Sequence, residues 1–144
     1  MERKEFLRLL GTAGMAVCAG CTLESCSSSS DPTPGGGNPP TGVDFTLDLT
    51  EAINAPLLTD GGFIYKSGII VVCLSASANV YTAVSQACTH QGTTIGFDGV
   101  NGTFLCPNHG SRFSPSGVVV NGPATASLKK YNTTLTGSSL RVFS

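Results

Sequence analysis

Apolar and polar residues first alternate regularly at Phe45-Thr46-Leu47-Asp48-Leu49, the pattern of a strand with one buried face. Phe63-Ile64-Tyr65 and the unbroken apolar run Ile69-Ile70-Val71-Val72-Cys73-Leu74 flank Lys66-Ser67-Gly68 and predict a β-hairpin. Val80-Tyr81-Thr82-Ala83-Val84 predicts the next strand. Residues 92–97 and 100–105 read as the arms of a second hairpin, with Asp98-Gly99 as its turn. Further strands are expected at residues 117–120, 128–135 and 140–143. No helical periodicity of any length follows residue 43. The pattern predicts an all-β domain over residues 44–144.

The chain before residue 44 obeys different rules. Residues 1–20 combine a basic start containing Arg3, Lys4 and Arg8 with an apolar stretch over residues 9–20. That stretch is shorter than the ~20 residues a bilayer requires, so it reads as an export signal. Arg3-Lys4-Glu5-Phe6-Leu7-Arg8 is similar to a twin-arginine signal with lysine in the second basic position; the general secretory route is the alternative. Ala19-Gly20-Cys21 resembles a bacterial lipoprotein cleavage site, which makes Cys21 the expected lipidated residue and the start of the mature chain. Cys26 and Cys18 fit less well, because Glu24 and Val17 precede them. Residues 21–43, with Ser27-Ser28-Ser29-Ser30 and Pro34-Gly35-Gly36-Gly37, bury no apolar surface and predict a disordered tether. As a coil it would span about 25 Å.

Composition narrows the function classes. At 144 residues with 40% hydrophobic content, the chain supports one ordinary domain. Plentiful valine, threonine and glycine lean toward β-structure. From Cys21 onward the acids are Glu24, Asp31, Asp44, Asp48, Glu51, Asp60 and Asp98, against Lys66, Arg112, Lys129, Lys130 and Arg141. That balance does not suggest a nucleic-acid partner. Arg112, next to the motif described below, could steer an acidic partner, but an inert surface arginine is the simpler reading. Cys73, inside its apolar run, reads as a buried thiol with no ligand role.

The chemistry is concentrated between Cys88 and Ser111. Cys88-Thr89-His90-Gln91-Gly92 and Cys106-Pro107-Asn108-His109-Gly110-Ser111 each carry one cysteine and one histidine, and the chain has no other histidine. The predicted hairpin between them brings both loops to one end of the domain. Two cysteines and two histidines suit a structural zinc site. Zinc half-sites, however, usually segregate the two ligand types, and these are mixed. A binuclear [2Fe–2S] centre, with both thiolates on one iron and both imidazoles on the other, suits the mixture better. Two thiolates cancel the 2+ charge of the oxidised core. Such a site therefore accepts an electron at roughly −150 to +300 mV, against about −400 mV with four thiolates.

These two loops resemble the cluster-binding loops of the Rieske [2Fe–2S] family, and residues 117–124 are similar to its proline-containing loop. The resemblance covers about the last hundred residues. It implies an antiparallel β-sandwich or barrel with a cluster-binding subdomain at one end, and one [2Fe–2S] cluster per chain. Cys88 and Cys106 are then expected on the inner iron, and His90 and His109 on the outer one. Gly92, Gly110, Ser111 and Pro123 are expected around the cluster. Cytochrome bc-type members carry a further cysteine in each loop, joined in a disulfide; Thr93 and Asn108 stand at those positions here. Ser111 keeps a hydrogen-bond donor to the cluster, while Phe113 replaces a tyrosine donor. One lost donor implies a potential between bc-type members and oxygenase-type ferredoxins.

The functional expectation is a lipid-anchored electron carrier in the cell envelope, facing the periplasm or the outer surface. Its partner is expected to be a redox protein or a membrane oxidoreductase of which this chain is a subunit. It is not expected to be an enzyme, since no histidine is left for a second, catalytic iron site. A zinc-binding structural lipoprotein is the alternative.

Overall fold

The computed structural model describes residues 38–144. The readings of residues 1–20 as a signal, of Cys21 as lipidated, and of the tether up to residue 37 lie outside the described residues. The tether does not extend to residue 43 as expected. The Pro40 carbonyl accepts the Lys129 Nζ at 2.7 Å and the Tyr131 hydroxyl at 2.8 Å. Val43 and Ser144 exchange further hydrogen bonds, so packing begins ahead of the first strand.

Among the described residues, ten strands form two antiparallel sheets. The larger contains β1 (Asp44–Asp48), β10 (Ser139–Phe143), β9 (Lys130–Thr136), β4 (Val80–Ser85), β3 (Ile69–Ser75) and β2 (Phe63–Lys66), in that order. The smaller runs β5 (Gly96–Asp98), β6 (Thr103–Leu105), β7 (Arg112–Phe113) and β8 (Val119–Asn121). The unbroken apolar run of β3 has a direct cause, because both of its faces are covered. Ile70 and Val72 join one buried cluster with Val84, Ile95, Phe104, Phe113 and the two loop cysteines. Ile69 and Val71 join the other, with Leu47, Leu57, Tyr131 and Leu140. The first cluster carries the small sheet and the motif on the face of the large one. The all-β expectation is met in this form.

The predicted first hairpin is present: Ser67 and Gly68 both adopt positive φ, as a two-residue turn between right-twisted strands requires. The second differs from expectation. Asp98 pairs with Thr103 across a four-residue connection, so Asp98-Gly99 is not the turn. The Asp98 carboxylate instead accepts the Asn101 backbone N–H and side-chain amide, closing a wider loop. A 3-10 helix at Ala52–Leu58 was not expected from the sequence. It buries only Asn54 and Leu57, one turn apart at a spacing of three, with Asn54 tied to the Asp48 carbonyl. No helix among the described residues is long and apolar enough to cross a membrane.

Candidate metal centre

The β5–β6 hairpin sets Cys88 and Cys106 side by side, and each opens a loop with the same backbone. The Cys88 carbonyl accepts the Gly92 N–H at 2.7 Å, and its own N–H donates to the Thr93 carbonyl at 2.8 Å. In the second loop the Cys106 carbonyl accepts the Gly110 N–H at 3.0 Å, and its N–H reaches the Ser111 carbonyl at 2.9 Å. Gly92 and Gly110 close these loops at φ +73° and +74°, where a side chain would be strained. Two congruent turns therefore face each other. The histidines do not occupy congruent positions: His90 matches Asn108, and His109 matches Gln91.

The result is a layered arrangement. Cys88 and Cys106 are each only 2% exposed and lie in the buried cluster, whereas His90 and His109 are exposed. The two imidazole rings stand 4.9 Å apart at 80° to one another. The two sulfurs also face each other. Burial pushes the Cys88 thiol up and the neighbouring Cys106 sulfur adds to the rise, while the backbone N–H groups of His90 and Gln91 pull the other way. Those N–H donors favour a thiolate. Cys73, Cys88 and Cys106 are all free, in keeping with Thr93 and Asn108 standing where a disulfide would need cysteines. The Asn108 amide instead makes a long contact, 3.4 Å, with the Gln91 side-chain oxygen across the gap.

A third loop, running on from β8, clips the other two together. The Thr89 hydroxyl donates to the Ala126 carbonyl at 2.6 Å, and the Ser111 Oγ accepts the Ala124 N–H at 3.0 Å. Ser111 is fully buried, and since its oxygen serves Ala124, its proton remains available to a further acceptor. Pro123 is exposed at the rim of this clip. Thr89 carries no signal in the sequence, because its partner lies 37 residues away. Phe113 is fully buried in the same cluster as the cysteines, with no hydroxyl to offer.

Among the described residues, no three His, Cys, Asp or Glu side chains gather around one point as a single metal ion requires. Paired sulfurs below and paired rings above fit a binuclear centre with two protein ligands per iron.

Arg112 is held in an ion pair and is not a free surface residue. Its Nη1 bonds the Asp98 carboxylate at 3.0 Å and the Thr103 hydroxyl at 3.0 Å, bracing the hairpin that carries Cys106. Hydrogen bonds from Asn101 and then Arg112 hold the Asp98 carboxyl down from 3.8 to about 2. A carboxyl depressed in the folded state stabilises it fully above the unfolded value and loses that contribution as pH falls through the folded one. The stability gap between wild type and Asp98→Asn is therefore expected to be constant above about pH 4 and to close towards pH 2. Denaturant titrations at several pH values measure it, and a gap that persists unchanged at pH 2 contradicts the account.

Comparison with known proteins agrees with this geometry. A family model described as the Rieske [2Fe-2S] domain matches residues 59–132. The iron-sulfur subunit of the cytochrome b6-f complex of Chlorobaculum thiosulfatiphilum is 34% identical over 59 residues, covering 41% of this chain and 33% of the relative. A putative Rieske 2Fe-2S iron-sulfur protein of Bacillus subtilis, YhfW, is 49% identical over 47 residues, 33% of this chain and 9% of that one. The chain thus spans a third or less of the length of these two curated relatives. Among solved structures, the plasma membrane Rieske protein PetC3 of Synechocystis PCC 6803 is 31% identical with a TM-score of 0.50, covering 57% of this chain and 84% of that one. The ferredoxin of carbazole 1,9a-dioxygenase from Nocardioides aromaticivorans IC177, 20% identical, shares the fold, with a TM-score of 0.54 over 72% of this chain and 98% of that one.

Proposed function

This chain belongs to the Rieske [2Fe–2S] family, whose domain binds one such cluster per chain, and from that premise we propose that it is a one-electron carrier. Cys88 and Cys106 hold the buried iron, and His90 and His109 hold the exposed one. The cluster supplies reversible one-electron chemistry. The protein's part is to keep the sulfur side dry, to present the imidazole side to solvent, and to lock both loops with the third. The observation that carries this reading is the sorting of the four side chains: two buried facing sulfurs beneath two exposed rings 4.9 Å apart. Gly92 and Gly110 shape the loops, Ser111 directs its free proton toward the cluster, and Pro123 sits at the rim. EPR with a redox titration on cluster-loaded protein is the test. Iron-free protein after anaerobic reconstitution ends the proposal.

The proposal extends to the cell. With Cys21 lipidated, the carrier is tethered to a membrane of the cell envelope, on the periplasmic or outer face, and exchanges electrons with a redox protein or a membrane oxidoreductase. The similarity to an iron-sulfur subunit of a cytochrome b6-f complex and to a plasma membrane Rieske protein supports a membrane setting, as does the sequence around Cys21. Metabolic labelling with a fatty acid that leaves the chain unmarked would remove the anchor from this reading.

A hydroxyl added at Phe113, within the cluster that buries both cysteines, is expected to supply the donor that the chain lacks. Donors stabilise the more negative, reduced centre. Phe113→Tyr should therefore raise the midpoint potential. A titration showing no change, or a fall, contradicts this.

A further inference from the structure

The charged side chains of the domain are sorted along its large sheet. The described residues include five acids and five bases. Two of each are engaged in ion pairs, Arg112 with Asp98 and Arg141 with Asp44. The other six divide by end. Lys66 closes β2 against Ile69, Ile69 faces Ser85 at the close of β4, and Val84 faces Lys130 at the start of β9, with Lys129 next to it. All three lysines therefore lie along one end of the sheet. At the other end Asp48 closes β1 against Ser139, and Ser139 faces Thr136 at the close of β9. Glu51 follows, its N–H on the Asp48 carbonyl, and the Asp60 carboxylate accepts the N–H of Ala76, just past the close of β3. The two sets stand about 20 Å apart, the length of β3. The chain enters the domain at the lysine end. Pro40 lies against Gly68, in the turn after Lys66, so closely that a Cβ there would meet its ring at 2.9 Å, and its carbonyl accepts the Lys129 Nζ.

We infer that the lysine end is a contact surface for a bilayer of anionic phospholipid headgroups, and that this contact orients the domain on the membrane. The inference rests on the proposed lipid at Cys21. A lipid there draws the domain to the bilayer through the chain that enters between Gly68 and Lys129. As a coil, the residues from Cys21 to Pro40 would span about 24 Å, comparable to the distance between the two charged ends. The tether alone therefore lets either end meet the surface, and charge decides between them. Headgroup phosphates attract Lys66, Lys129 and Lys130 and repel Asp48, Glu51 and Asp60, each lysine near the surface contributing roughly fivefold. Three lysines are few for a free protein. The tether already holds this one at the surface, so they need only bias its orientation. A carboxylate at Ser144, beside Val43 at the same end, would offset one lysine and still leave an excess. An extended lipid surface fits better than a single anion. Lys66 and Lys130 are both exposed and stand three strands apart, up to about 14 Å, so they do not converge on one phosphate.

The test places the lipidated, cluster-loaded protein, purified from membranes, on two kinds of vesicle. One is phosphatidylcholine alone; the other is an equal mixture of phosphatidylcholine and phosphatidylglycerol. An uncharged acylating reagent modifies exposed amines, and mass spectrometry reads the rate at each lysine. At about 0.01 M salt, where the screening length is about 30 Å, Lys66 and Lys130 should be modified at least about threefold more slowly on the anionic vesicles. At about 1 M salt the screening length falls to about 3 Å and the difference should vanish. Lys130→Glu should weaken the protection of Lys66. Glu51→Lys puts an amine at the opposite end, and that amine should be modified no more slowly on the anionic vesicles than on the neutral ones. Equal rates at Lys66 and Lys130 on both vesicles, the result expected if these lysines serve an acidic protein instead, overturn the inference. So does a difference that survives high salt, or equal protection of the amine introduced by Glu51→Lys. Flotation with the neutral vesicles reads the anchor separately. Protein that fails to float carries no lipid, which overturns the anchor and the inference with it; protein that floats but is modified equally on both overturns the inference alone.

Discussion

Replacing His90 or His109 with alanine is expected to abolish the low-g EPR signal of the reduced centre and to lower its iron content sharply. The chain has only these two histidines, so no other imidazole can take the vacated position. Nor can an acid move in, because the three loops around the rings contain none. An iron left with one imidazole would be open to solvent on the exposed side, where hydrolysis of the centre follows. Cys73→Ala is the matched control. Cys73 is fully buried on β3, burial pushes its thiol up, and neither of its backbone hydrogen bonds, to Gly61 and Gly62, involves the loops. Its loss should cost roughly 1 kcal/mol of stability and leave the EPR signal unchanged. A Cys73 variant without the signal beside a His109 variant that keeps it would refute the ligand assignment. This outcome is read on folded protein, since both histidines are exposed and their removal leaves no cavity in the core.

The contrast between these residues explains how much the sequence discloses. The centre was legible because its four side chains lie in two short motifs, and one local hairpin suffices to bring the motifs together. The strands were legible where burial imposes a period: β3 is apolar throughout because both faces are covered, and β1 alternates because one is. What the sequence does not disclose depends on partners distant in sequence. Arg112 reads as a surface charge until Asp98, fourteen residues away, is placed against it. Thr89 reads as a spacer until the Ala126 carbonyl reaches its hydroxyl. Two residues are too few for β7 to show any period. The 3-10 helix contains Pro56 and leaves Ile53 and Leu58 exposed, so its hydrophobic pattern argues against a helix. Its existence follows from tertiary packing around Leu57, not from local preference.

The same helix sets the largest stability effect expected in the domain. A Cβ added at Gly62 would lie 1.8 Å from the Pro56 carbonyl oxygen, 2.7 Å from its carbon and 3.0 Å from the Thr59 oxygen. All three are backbone atoms, so no side-chain rotation relieves the overlap. The Pro56 oxygen is also committed, accepting the Thr59 N–H at 3.2 Å. Gly62 is held from its own side by N–H donation to the Thr59 carbonyl and by acceptance of the Cys73 N–H, each at 2.9 Å. Gly62→Ala must therefore either move the end of the helix, dragging the fully buried Leu57 out of its cluster, or pull the start of β2 off β3. Either route is expected to cost about 3 kcal/mol or more, the range of overpacked and strained sites. In a domain of this size that lowers the Tm by more than about 10 °C at a fixed scan rate. Gly96→Ala is the comparison, because a Cβ there meets nothing within 4 Å and φ is not positive. It should be neutral or stabilise by up to about 1 kcal/mol through the unfolded chain. Since Gly62 lies outside all three loops, whatever fraction of Gly62→Ala remains folded should keep a wild-type EPR signal. A Gly62→Ala protein that melts within a degree or two of wild type would show that the helix end gives way freely, and that Leu57 is not what anchors it.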